Sequence, residues 1–178
     1  MAEAFSNKLT RAAGIVSTSS AGSIGIQTNL ITGISTVDVT VNQLIDNSNY
    51  ILGTKVSSVG ASQVVADRDS TNTSATSSQS VKFLGVTTAY TSTGTKSILV
   101  GGTFANNTTS SVNLTINVFD NSASAEVGLA ANIPVPQGSS FVISDTGKTV
   151  LESSDEIRIY CDTANAIDAT LSVLTGVS

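Results

Sequence analysis

Val112-Asn113-Leu114-Thr115-Ile116-Asn117-Val118 alternates apolar and polar side chains at every step. Successive side chains of a strand point to opposite faces, so this segment carries one apolar face and one wet face. No helical register sorts the residues that way. The same period recurs on either side. Val127, Leu129, Ala131, Ile133 and Val135 share a face in 127–135, and Ile157, Ile159 and Cys161 share one in 157–161. Ile167, Ala169, Leu171, Val173 and Val177 form a stripe in 167–177. Turn signals separate the runs at Gly101-Gly102, Asn106-Asn107, Asp120-Asn121, Pro134–Gly138, Asp145–Gly147 and Asp162–Asn165. Strands with one buried face, broken about every 8–12 residues, predict antiparallel sheets. The chain is read as all-β, with a β-sandwich of about seven or eight strands over residues 81–178.

Upstream, residues 15–80 read as a small β-module. Segment 24–34 alternates imperfectly, and Val37, Val39 and Val41 alternate around Asp38 and Thr40. Gly53 and Gly60 mark turns before strands at 54–59 and 63–66. Residues 69–80 are polar apart from Ala75, which predicts a linker closing the module. In residues 1–14, Phe5, Leu9 and Ala12 or Ala13 recur at helical spacing, and Gly14 ends the run. This reads as a short N-terminal arm, too short to hold a helix unaided. Lys8 and Arg11 place two of the chain's eight basic residues there. Phe5, Lys8, Leu9 and Arg11 are therefore the candidate partner-docking residues. Removing 1–11 is expected to leave the unfolding of the sandwich unchanged.

Composition excludes much chemistry. Only 12% of the residues are charged, against about a quarter in an ordinary soluble domain. Hydroxyls and amides stand in their place, with 28 Ser, 24 Thr and 13 Asn. The chain has no His and no Trp, and one Cys. Triads built on histidine, and histidine-ligated metals, are excluded, as is any disulfide within the chain. A net charge of -5 argues against nucleic acid and anionic membrane as partners, since both attract a basic footprint. No apolar run approaches a membrane span, and the N-terminus has no secretory signal, so synthesis in the cytoplasm is expected.

Asp67, Asp69, Glu152, Asp155, Glu156, Asp162 and Asp168 are the candidate catalytic or metal-binding carboxylates. Their positions beside turns favour solvated acids instead. Cys161 alternates with Ile157 and Ile159 and reads as a small buried hydrophobe. Tyr160 and Phe119 face outward by alternation and are candidate platforms for stacking a sugar. On these residues no catalytic activity, cofactor or metal is expected.

Two parts of the chain carry a resemblance. The opening Phe5-Ser6-Asn7-Lys8-Leu9-Thr10-Arg11 resembles the start of small structural proteins of marine tailed phages, of the T4-like cyanophage type. The C-terminal half is similar to the sandwich that follows in those proteins, through Val100-Gly101-Gly102-Thr103-Phe104-Ala105-Asn106, Ile133-Pro134-Val135-Pro136 and Lys148-Thr149-Val150-Leu151-Glu152. Gly53-Thr54-Lys55-Val56, after Asp46–Ile51, looks like the short β-units common in tail and fibre proteins. The resemblance implies a virion structural or accessory protein, in the capsid decoration, neck or tail, with no catalytic residues to carry over. Its partners would be other virion proteins and further copies of itself. The alternative is a tail or fibre module binding host surface glycan, through loops such as 69–80, 106–111 and 120–125.

Overall fold

The structure, a computed structural model, describes residues 3–94 and 96–177, without the side chains of residues 145–147. The described residues form strands and no helix. In chain order these are β1 (Ala4–Ala13), β2 (Ile15–Ile24), β3 (Leu30–Thr32), β4 (Leu44–Asp46), β5 (Val56–Val59), β6 (Gln63–Ala66) and β7 (Thr76–Gly85). Then follow β8 (Thr87–Thr91), β9 (Lys96–Asn106), β10 (Val112–Asp120), β11 (Ala125–Val135), β12 (Ser140–Leu151), β13 (Glu156–Cys161) and β14 (Ile167–Val177). They divide into two compact units. One comprises residues 1–14 with 86–178, and the other, residues 15–85, is inserted in the sequence after the first strand.

The first unit is an antiparallel β-sandwich. One sheet has the order β1-β14-β9-β12 and the other β11-β10-β13-β8. Their inner faces share one core. Leu99, Phe104, Ile167, Leu171 and Val173 come from the first sheet, and Leu114, Ile116, Ile157, Ile159 and Cys161 from the second. Val112, Leu114 and Ile116 are buried, with Val118 packed against the same core, as the alternation requires.

The first fourteen residues depart from the expected arm. β1 pairs antiparallel with β14, from Ala4↔Thr175 through Thr10↔Ala169, and so forms an edge of the sandwich. The spacing was ambiguous by arithmetic. Residues four apart share a face of a strand as well as of a helix, so Phe5 and Leu9 satisfy both periods. β14 offers a full backbone ladder, whereas a lone helix of this length gains nothing comparable. Deleting residues 1–11 is therefore expected to destabilise the sandwich by about 2–3 kcal/mol, a fall of roughly 10 °C in unfolding midpoint. A midpoint unchanged by the deletion would restore the arm.

Four further readings are corrected. The polar stretch 69–80 is not all linker, because β7 starts at Thr76 and pairs with β2 through Gly22↔Gln79 and Ala21↔Ser80. Polar side chains do not prevent a backbone ladder, and the unit boundary moves from 80 to 85. Residues 37–41 form no strand. They lie in successive turns closed by Val39 N to Thr36 O (3.2 Å) and Gln43 N to Thr40 O (3.4 Å). Asp38 and Asn42 have positive φ there, and only Val39 of the three valines is buried. In β11 the common face breaks. Two register shifts in the pairing with β10 put Ala130 inward in place of Leu129 and Ala131, while Ile133 and Val135 keep the expected side. Leu129 is 39% exposed, and Val127, opposite Val118 on this edge strand, is 68% exposed. A bulge adds one residue and swaps the faces beyond it. Gly101-Gly102, read as a break, lies inside β9 at such a bulge.

The inserted unit has the sheet order β4-β7-β2-β3-β6-β5. Its two ends also meet. Asn42 N donates to Val56 O, Val56 N to Gln43 O and Ile45 N to Thr54 O, each at 2.9 Å, beside a Leu44↔Lys55 bridge. The ladder thus closes the strands into a small barrel around Ile24, Ile31, Ile45, Tyr50, Val64, Val81 and Phe83. Closure removes the exposed edges that so small a sheet would otherwise present. Gly22 lines its tight interior, where a Cβ would collide with the Ile34 side chain.

Candidate functional site

The carboxylates act within the structure itself. Asp155 is 6% exposed and accepts hydrogen bonds from Asn121 N (3.0 Å) and Glu152 N (2.8 Å), closing the turn before β13. Asp162 accepts from Asn113 N (2.9 Å) and Asn113 Nδ2 (3.1 Å). Asp168 accepts from Ala12 N at 2.8 Å, a bond that holds its carboxyl below the usual carboxylate range. Asp67 accepts from Lys55 N at 2.9 Å and pairs with Arg68 at 3.9 Å. Glu152 pairs with Lys96 at 3.4 Å. Among the described residues no group of acids and cysteine is gathered in a metal-binding cluster. Cys161 is fully buried, and burial pushes its thiol up to about 11, so it stays protonated at neutral pH.

The outer face of β11-β10-β13-β8 holds a polar cluster that the sequence did not suggest. The Glu126 side chain is 3% exposed. It accepts from Tyr160 OH (2.8 Å), Asn117 Nδ2 (2.9 Å) and Arg158 Nη1 (3.3 Å). Arg158 Nε donates to Glu156 at 2.7 Å, and its guanidinium lies 3.7 Å from the Phe119 ring centroid. These contacts correct the sugar-platform reading. Tyr160 is 2% exposed, with burial and then Glu126 raising its hydroxyl pKa, and Phe119 is capped by arginine. Asn117, on the wet face by alternation, is likewise buried. The cluster's described members partner one another, so it fastens three strands together.

The opposite sheet presents a different surface. The outer face of β1-β14-β9-β12 carries side chains in cross-strand rows. One row runs Phe5–Leu174–Ile98–Val150, pairing residue by residue across all four strands. A second runs Asn7–Ser172–Gly101–Ser144 and a third Leu9–Thr170–Thr103–Val142. Phe5 is 71% exposed, Leu9 76%, and Val142 and Val150 53% each. The rows form an apolar ridge, a trough of small polar residues, and a second ridge apolar at both edges. Arg11 and Asp168 lie at one end of this face and Lys148 on its β12 edge, and the described side chains at its centre carry no charge.

The proposed docking residues divide on this geometry. Phe5 and Leu9 lie on the outer face, and Arg11 is exposed at its end. Lys8 alternates to the other side, where its Nζ sits 5.9 Å from the Tyr90 ring centroid. Leu174, Ile98, Val142 and Val150 went unnoticed in the sequence. A signal was present, since Ile98-Leu99, Val142-Ile143, Val150-Leu151 and Val173-Leu174 are apolar doublets. Adjacent apolar residues in a strand require both faces to be apolar. In the inserted unit, a cleft of about 550 Å³ is lined by residues including Ser23, Thr28, Thr32, Thr76 and Ser77.

Compared with known proteins, the chain matches no family model, no curated protein and no solved structure.

Proposed function

We propose that this chain is a structural or accessory protein of a phage virion, as capsid decoration or as a neck or tail component, and that it works through protein–protein contacts without catalysis. The observation that carries this reading is the outer face of β1-β14-β9-β12, where apolar side chains stand in a row across four strands, exposed at Phe5 and Val150 and half-buried at Leu174 and Ile98. A contiguous apolar patch of this kind on a soluble protein marks an interaction surface. An uncharged centre with charge at its margin is the usual anatomy of a protein interface. The resemblance of Phe5–Arg11 and of the sandwich to phage structural proteins supplies the setting. Few charges also suit a particle in salt water, where surface ion pairs are screened.

Leu9→Asp tests the reading. Leu9 is 76% exposed, so the substitution is expected to leave the unfolding midpoint within about 2 °C. Occupancy of the protein in assembled particles is expected to fall at least about tenfold, the effect of losing an apolar anchor at an interface. Particles that take up the variant as well as the parent chain would refute it.

The hydroxyl-lined cleft of the inserted unit favours a second reading, host glycan binding, because Thr76 and Ser77 belong to the segment 69–80 expected to carry that role. Its described lining has hydroxyls to bond a neutral sugar but no aromatic ring to stack one. A glycan array on the full chain separates the two readings.

A further inference from the structure

We propose that the occupant of the β1-β14-β9-β12 outer face is a second copy of this chain, packed sheet against sheet about a two-fold axis parallel to the strands. The inference rests on the reading of that face as the working surface and names its partner. Its first support is area. Four strands at about 4.8 Å spacing, each about ten residues long, present about 600 Å² of sheet plane. Two such faces together reach the roughly 1,200 Å² at which specific interfaces begin. Aligned sheets pack about 10 Å apart by interlocking apolar side chains, which the exposed rows supply.

The second support is the order of residues along the rows. A two-fold parallel to the strands reverses the strand order of one sheet over the other, setting the β1 edge on the β12 edge and β14 on β9. In the first row Phe5 then meets Val150 of the second copy, and Leu174 meets Ile98. In the third row Leu9 meets Val142, and Thr170 meets Thr103. Every apolar residue of these rows thus faces an apolar residue, and hydroxyls face hydroxyls. The trough Asn7–Ser172–Gly101–Ser144 falls on itself, and its small side chains leave room for the flanking ridges. Arg11, on the β1 edge, is carried over the β12 edge and away from its own copy. Each contact occurs twice, as an isologous interface requires.

The full chain is tested by sedimentation equilibrium at about 50 μM, well above a micromolar dissociation constant. A particle of twice the chain mass of 18.0 kDa is expected, and Leu9→Asp is expected to return it to a single chain. For the register, Leu9→Cys chains are mixed with Val142→Cys chains under mild oxidation. The mixture is expected to cross-link and neither variant to do so alone, while buried Cys161 stays reduced. A monomeric parent chain, a dimer that survives Leu9→Asp, or cross-linking by Leu9→Cys alone overturns the proposal. The functional reading fails separately. If the parent is monomeric yet Leu9→Asp still loses particle occupancy, the face docks onto another protein and only the second copy is refuted. If neither mass nor occupancy responds, both fall.

Discussion

Ile116→Asp is expected to unfold the sandwich or to cost it about 5 kcal/mol or more. Ile116 is fully buried in the middle of β10, between β11 and β13, within the core shared by both sheets. A carboxylate there loses its hydration and finds no cation among the core residues, which are all apolar but for the Tyr90 hydroxyl and the Cys161 thiol. Losses above 4–5 kcal/mol come from a short set of mechanisms, of which an unpaired buried charge is one. Against a total stability of about 5–15 kcal/mol, little folded protein remains. Val127→Asp is the informative companion. Alternation places Val127 on the core side, opposite Val118, yet on the edge strand β11 it is 68% exposed. It is expected to cost less than about 0.5 kcal/mol. Equal shifts of urea midpoint for the two variants would mean that Val127 is buried like Ile116.

Glu126→Ala is expected to cost about 3–4 kcal/mol. The side chain is almost wholly buried and accepts from Tyr160, Asn117 and Arg158. Truncation leaves a phenol, an amide and part of a guanidinium without their acceptor, and an orphaned buried donor costs more than the bond itself contributed. Arg158 keeps Glu156, which limits the loss. Glu126→Gln retains an acceptor for Tyr160 and Asn117 but not the charge, and about half the loss is expected. Asn117→Asp also becomes costly, because it sets a second carboxylate against Glu126. On the alternation alone that substitution was harmless. A loss below about 1 kcal/mol for Glu126→Ala would show that the cluster holds nothing together.

Period-2 patterning determined the all-β class and the antiparallel sandwich, because alternation is a local property that a strand must obey wherever it packs. The buried faces of β10, β13 and β14 were legible for that reason. Long-range pairing decided the rest. Phe5 and Leu9 fit a strand and a helix equally, and only the ladder offered by β14, some 160 residues along the chain, selects the strand. The bulges of β11 depend on how its backbone meets β10, and the closure of the small barrel depends on a ladder between residues 42–45 and 54–56. Neither leaves a periodic mark. The candidate face shows the same division. Its apolar doublets were written in the chain, but a doublet says only that both faces of one strand are apolar. That Phe5, Leu174, Ile98 and Val150 stand in one row follows from the register of four strands drawn from both ends and the middle of the sequence. Local chemistry specifies which way a side chain points, whereas its neighbours across the sheet are set by contacts between residues the sequence holds far apart.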